Sequence, residues 1–327
     1  MTLSTTTRAV VIRGINDVRV EEIPVPEIAP DEVRVRVKYS GISVGTERWL
    51  VTGQRPDGNF PLISGYQNCG VVEAVGELVK SVQIGDRVCV GRTRVLPPMN
   101  PGWSGHVGVA VVSASMVVPI PDEVSWEEAA LERLAAVGLR GARMANIKPG
   151  DRVVIIGQGM IGHMLGQIAR CWDAFVIASD KLPHRVELAR RYSADIAVNP
   201  DHQDFVGIVQ EHFLNGADVV VEATGYAENI PLCLELVREQ GRILLQGWYP
   251  GDVSFNFHRA HAKRITVYFP CYLEGEDVVL GMLARGKLQI RPLITHILPA
   301  SLAPEAFRLI VENPSEIMGM ILDWEED

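Results

Sequence analysis

Polar and apolar positions alternate with a period of two through the first third of the chain. In 33–39, Val33, Val35 and Val37 face one way while Arg34, Arg36 and Lys38 face the other. Segments 8–13, 70–75, 86–90 and 106–112 are also rich in β-branched residues, and turn formers such as Gly76-Glu77 and Gly85-Asp86 lie between them. The pattern predicts a sheet domain with one solvated face. Near residue 121 the period changes. Ser125 followed by Glu128 reads as a capping box opening a helix from Trp126 to about Asn146. From 152 onward apolar strands (152–157, 174–179, 217–224, 241–247) alternate with helices (about 161–173, 183–192 and 227–239). That alternation predicts an α/β region with a parallel sheet covered by helices.

Composition narrows the picture. With 327 residues, two domains are expected, and 47% hydrophobic residues suffice for sizeable cores. The net charge of -9, with no long basic run, argues against nucleic acid or an anionic membrane as partner. Nor does any apolar stretch reach the roughly 18 residues of a spanning helix, and Met1 to Arg13 has no signal-peptide pattern. Five scattered cysteines (Cys69, Cys89, Cys171, Cys233, Cys271) do not make a disulfide framework and fit a reducing cytoplasm.

The strongest chemical signal is Gly157-Gln158-Gly159-Met160-Ile161-Gly162. It follows an apolar strand and opens a helix with the stripe Ile161, Leu165, Ile168 and Trp172. Gly157 permits the sharp turn, Gly159 the close approach of a pyrophosphate, and Gly162 the packing of helix on strand. The helix N-terminus, at Met160 and Ile161, then faces the anion. Asp180 ends the next strand 18 residues past Gly162 and is placed to accept hydrogen bonds from an adenosine 2′-hydroxyl. A carboxylate there repels a 2′-phosphate, so NAD is expected over NADP, although Lys181 and Arg185 supply nearby cations. Asp180 also suits a plain turn. Two later strand ends, Ala223-Thr224-Gly225 and Gly247-Trp248, fall where the nicotinamide half of such a cofactor would lie, or are ordinary loop turns.

The whole chain resembles the medium-chain dehydrogenase/reductase superfamily of alcohol and polyol dehydrogenases and quinone reductases. The resemblance rests on Gly41-Ile42-Ser43-Val44-Gly45-Thr46-Glu47, Gly65-Tyr66-Gln67-Asn68-Cys69-Gly70, Ile84-Gly85-Asp86-Arg87-Val88, Lys148-Pro149-Gly150-Asp151 and the glycine fingerprint. It implies a GroES-like β-domain (1–121 and 271–327) and a Rossmann domain (122–270). It also implies a homodimer or homotetramer, for which the β-prone run 264–269 is a candidate edge. Zinc-dependent members carry Cys in the first motif and Gly-His-Glu in the second. Here those positions read Ser43 and Tyr66-Gln67, and a third ligand would fall at Glu132. Residues 91–110 hold no cysteine, so the structural zinc lobe is missing too. The chain therefore resembles a zinc-free branch, with no metal expected. Over the short motif 41–48 it is also similar to the branch that oxidises the hydroxyethyl side chain of bacteriochlorophyllides.

Without a metal, hydrogen-bond donors must stabilise the oxyanion of an alcohol/carbonyl interconversion. Tyr66 is the candidate donor or acid, with Thr46 and Ser43 as partners and Glu132 as a proton relay. The competing roles are space-filling for Tyr66 and a helix-surface ion pair with Arg133 for Glu132. Glu47 reads equally as a relay or a solvated charge, and His106 reads as a surface or satisfied strand histidine. His258 and His261 read as structural. Trp103, Trp248, Tyr249, Phe269 and Tyr272 are candidate liners of a pocket for a bulky apolar small-molecule substrate. The expected activity is an NAD(H)-dependent alcohol/carbonyl oxidoreductase. The alternatives are a quinone or enone double-bond reductase and a non-catalytic nucleotide-binding protein.

Overall fold

The computed structural model describes residues 3–270 and 274–325. Two compact units divide the chain. The first comprises Met1–Arg133, Glu276–Arg285 and Ile294–Asp327, and the second comprises Leu134–Gly275 and Gly286–Leu293. Cys271 and Tyr272 lie outside the described residues.

The first unit is a β-domain. The strand Glu32–Ile42 is its spine, pairing antiparallel with Asn68–Val75, Val109–Ser113 and Gly319–Asp323 in a seven-stranded sheet. A three-stranded sheet is built on Thr6–Gly14. Val33, Val35 and Val37 enter the core as their period requires, with Val72, Val88 and Phe307 packed among the same buried residues. The opposite face is less wet than the alternation implies. Arg34 is buried because its Nε donates to Glu73 across the sheet at 3.2 Å.

The second unit is the expected parallel α/β sheet. Its strands lie in the order Ile196–Val198, Phe175–Ser179, Arg152–Ile156, Ala217–Glu222, Val237–Leu245, Thr266–Tyr268. The order reverses beside Arg152–Ile156, and the carboxyl end next to such a reversal is where this architecture receives a dinucleotide. The run 264–269 contributes Thr266–Tyr268 as an end strand of this sheet.

Two predicted helices differ from their sequence patterns. The Ser125–Glu128 capping box forms with both of its bonds, but the helix pauses after Trp126–Ala129 and resumes as Glu132–Met144. At the pause the Ala130 carbonyl lies against Gly41, where a Cβ would come within 2.4 Å of it. The predicted helix 227–239 becomes a single 3₁₀ turn and a short helix, Ile230–Leu236. At Val237 the backbone pairs with Ala217, so sheet formation overrides the helical pattern.

Candidate active site and cofactor site

The candidate cofactor turn is built by backbone. Gly157 has φ +96°, and a Cβ there would meet Thr224 Cγ2 at 2.6 Å. At Gly162 a Cβ would lie 2.1 Å from the Gly157 carbonyl, so only glycine lets the helix pack on the turn. Gly159 has the opposite surroundings. Among the described residues a Cβ there would have only Arg185 Nη1 near it, at 4.0 Å, which leaves open space over the start of helix Met160–Cys171. A shielded turn with an open face at a helix N-terminus fits a dinucleotide pyrophosphate.

Asp180 is drawn into this turn. Its carboxylate accepts from the Gln158 N–H at 2.8 Å and the Leu182 N–H at 2.9 Å, so it braces the glycine loop as well as ending its strand. Arg185 Nη1 lies 3.9 Å from Asp180 Oδ2, and burial pulls the guanidinium below its usual range. Lys181 points into solvent toward Asp201.

Glu222, which sequence reasoning left unassigned, organises the two later loops. Its buried carboxylate accepts from the Thr224 and Gly225 N–H groups at 3.0 Å each, from Asn229 Nδ2 at 3.2 Å, and from the hydroxyls of Thr224 and Tyr249. Gly225 and Gly247 have a packing reason for lacking side chains. A Cβ on Gly247 would come within 2.5 Å of the Gly225 nitrogen, and one on Gly225 within 2.8 Å of the Trp248 carbonyl. Burial and the Glu222 charge push the Tyr249 phenol up.

The first unit holds the other candidate residues. Ser43 is buried and precedes the helix Val44–Val51, which carries Thr46 and Glu47. Tyr66 is half-buried, with its ring 5.6 Å from that of Trp103. Burial and the Glu47 charge raise its phenol to about 12, while the Ser43 and Thr46 hydroxyls beside it and the Arg133 guanidinium pull the other way. The net effect keeps the phenol protonated and able to donate.

Glu47 is not a solvated loop charge. It is 0% exposed, accepts from the Ser43 N–H at 2.8 Å, and lies 3.0 Å from His106 Nε2. His106 is a satisfied buried histidine, with Nδ1 2.8 Å from Ser40 Oγ. Glu132 is 1% exposed, so it is not a helix-surface group either. Its Oε1 lies 3.5 Å from Arg133 Nε, its Oε2 has no hydrogen-bond partner among the described residues, and burial raises the carboxyl to about 8. Arg133 is seated against Gly91, where a Cβ would come within 2.1 Å of Nη1. Gln67 is fully buried with both amide atoms unpartnered among the described residues. The sequence marked Gln67 only as a departure from the zinc motif and Arg133 only as a neighbour of Glu132; their burial is a property of the folded surroundings.

These donors do not suit zinc. A hydroxyl, a phenol and an amide stand where the resemblance expects a thiolate, an imidazole and a carboxylate, and the remaining carboxylate, Glu132, is beside a guanidinium. The nearby thiols of Cys69 and Cys89 donate to the Trp126 and Ala129 carbonyls, and burial pushes both up, away from the thiolate form a metal needs. Among the described residues no group of three or more His, Cys, Asp or Glu is arranged to hold a metal. The exposed His258 and His261 belong to the short helix Phe257–Lys263, where His261 stacks on Phe257. Phe269 is largely exposed.

Comparison with known proteins agrees with this architecture. Residues 29–122 match the alcohol dehydrogenase GroES-like domain, and residues 161–284 match the zinc-binding dehydrogenase domain. The D-xylulose reductase of Saccharomyces cerevisiae is 27% identical, with 100% of each chain covered. The sorbitol dehydrogenase of Macaca fascicularis is 28% identical, with 91% of each covered. An Escherichia coli oxidoreductase/dehydrogenase of unknown specificity has a solved structure with a TM-score of 0.89 at 25% identity, covering 97% of this chain and 99% of that one. A GroES-like domain joined to a Rossmann-type parallel sheet, together with full-length likeness to alcohol and polyol dehydrogenases, supports placing the chain in the medium-chain dehydrogenase/reductase superfamily.

Proposed function

We propose that the protein is an NAD(H)-dependent oxidoreductase that interconverts an alcohol and a carbonyl without catalytic zinc, with Tyr66 as the hydrogen-bond donor and acid at the substrate oxygen. The observation that carries this reading is the placement of the Tyr66 phenol beside the Ser43 and Thr46 hydroxyls and the Trp103 ring, in surroundings whose burial keeps it protonated. A nicotinamide, when bound, supplies or removes the hydride. The glycine turn and Asp180 would hold its adenosine half, and the loops at Thr224 and Trp248, which Glu222 braces, would receive the other. In reduction the phenol donates to the carbonyl oxygen as negative charge develops there, then passes its proton to form the hydroxyl. In oxidation the same proton returns. The Ser43 and Thr46 hydroxyls orient the phenol, and Glu132 is a candidate relay of the proton onward.

The Asp180 carboxylate supports NAD over NADP. Likeness to a D-xylulose reductase and a sorbitol dehydrogenase supports a small-molecule substrate bearing hydroxyls. The Gln67 amide and Glu132 Oε2, without hydrogen-bond partners among the described residues, add donors and acceptors suited to such groups. The tilted Trp103 ring offers an apolar surface beside Tyr66 for a bulkier secondary alcohol of the hydroxyethyl type. The end strand Thr266–Tyr268 supports pairing of a second copy, in a homodimer or homotetramer.

The test is Tyr66→Phe, assayed on a panel of alcohols, ketones and enones alongside metal analysis. Loss of one positioned donor lowers carbonyl turnover by about a hundredfold or more, with NADH affinity unchanged. Stoichiometric zinc in the purified protein would overturn the metal-free chemistry. Full activity of the variant on double bonds alone would favour the reductase alternative. Tight NADH binding with no turnover by the unaltered protein would favour a non-catalytic one.

A further inference from the structure

Behind Tyr66 lies a buried polar chain that the hydride reaction does not itself require. Trp324 Nε1 donates to Ser40 Oγ at 2.9 Å, Ser40 Oγ lies 2.8 Å from His106 Nδ1, and His106 Nε2 lies 3.0 Å from Glu47 Oε1. The second Glu47 oxygen takes the Ser43 N–H at 2.8 Å. Apart from Trp324, at 7%, every member is at most 3% exposed. One polarity satisfies the chain: indole to hydroxyl, hydroxyl to Nδ1, and Nε2–H to carboxylate. The imidazole also touches the backbone that carries the phenol. Gly65, at φ +83°, immediately precedes Tyr66, and a Cβ there would lie 2.7 Å from the His106 ring. A Cβ on Gly105, just before His106, would come within 2.6 Å of the Tyr66 nitrogen.

From this geometry we infer that His106 and Glu47 are positioning residues: the imidazole pins the carboxylate and buttresses the Gly65–Tyr66 backbone, so that the carboxylate and the segment bearing the phenol are held against one ring. A buried charge held by two hydrogen bonds cannot turn away from its neighbour, and in low dielectric it acts strongly on the neighbour's proton. Glu47 opposes phenol ionisation, and Arg133 from the neighbouring helix favours it. Ser43 and Thr46 supply neutral dipoles, and Arg55 stacks over Trp103 on the remaining side. The pair therefore sets how readily the phenol gives up its proton without touching the substrate. This inference rests on the catalytic role proposed for Tyr66, but its readout does not.

The experiment follows the phenolate absorbance of Tyr66 with pH, taken as the difference between each protein and the same protein carrying Tyr66→Phe. Glu47→Gln keeps the shape and the Ser43 bond but removes the charge, and should lower the pH of Tyr66 ionisation by about one unit or more. An alkaline limb should then enter the pH profile of kcat, with KM for cofactor unchanged. Glu47→Asp keeps the charge but draws it back by one methylene. It gives a smaller shift in the same direction and guards against a Glu47→Gln that fails to fold. His106→Gln leaves the charge unpinned and should lower kcat without a change in cofactor affinity. Identical ionisation of Tyr66 in the parent, in Glu47→Gln and in Glu47→Asp would overturn the inference. Full turnover by Tyr66→Phe would instead overturn the catalytic reading, while the absorbance comparison still decides this one.

Discussion

In the second unit, the cofactor turn is shaped by positions where a Cβ cannot go: 2.6 Å from Thr224 at Gly157 and 2.1 Å from a carbonyl at Gly162. In the first unit, the candidate phenol of Tyr66 is surrounded by side chains withdrawn from water, namely Glu47, His106, Gln67, Glu132 and Arg133. The first kind of site tolerates no added atom at Gly157 or Gly162, while Gly159 keeps its face open. The second depends on buried polar groups meeting, some from adjacent positions, as Glu132 and Arg133 do, and some from distant ones, as Glu47 and His106 do.

The sharpest way to break this contrast is a matched pair of glycine substitutions. Gly162→Val should abolish NADH binding by fluorescence titration, a loss of about a hundredfold or more, because the helix N-terminus is pushed off the turn. Gly91→Ala drives a methyl group into the Arg133 guanidinium and should reduce turnover while leaving NADH affinity intact. If both variants lose cofactor binding equally, the division of labour is wrong.

A smaller effect concerns pH. The folded state holds Glu132 near 8, above the ordinary 4.5, so folding favours its protonated form. Stability from this source is full below 4.5 and is lost as pH rises through 8. Glu132→Gln should therefore melt at the same temperature as the parent in acid and higher at about pH 9. A constant difference across that range would show the carboxyl to be ordinary. The smallest effect is expected at Lys181, whose side chain reaches solvent. Lys181→Ala should leave the ratio of NADH to NADPH affinity within about twofold, whereas Arg185→Ala should change it, since Arg185 Nη1 is 3.9 Å from Asp180.

The difference between the units also explains what the sequence could disclose. The glycine fingerprint is six contiguous residues after an apolar strand, and local pattern suffices to find it. The alternation of 33–39 likewise marked the spine of the first unit. Glu47 and His106 are 59 positions apart, and Ser40 and Trp324 are 284 apart, so nothing in the spacing announces that they meet. For that reason Glu47 read as well as a solvated charge, and Glu132 as a surface ion pair. Glu222 was hidden for another reason. Its role depends on loop amides and a Tyr249 hydroxyl that converge only once two strand ends lie side by side. The helix assigned to 227–239 failed where sheet pairing at Val237 outweighed a helical pattern.

The strand Gly319–Asp323 pairs with Glu32–Ile42, and the Trp324 N–H then bonds the Lys38 carbonyl at 2.9 Å. Closing that pair spans almost the entire polypeptide, which makes it among the most entropically demanding contacts to form. The largely contiguous stretch 134–275 faces no such delay. During assembly, affinity for nucleotide should mature ahead of the buried indole–imidazole–carboxylate line, so that a half-finished molecule grasps coenzyme before it can turn it over.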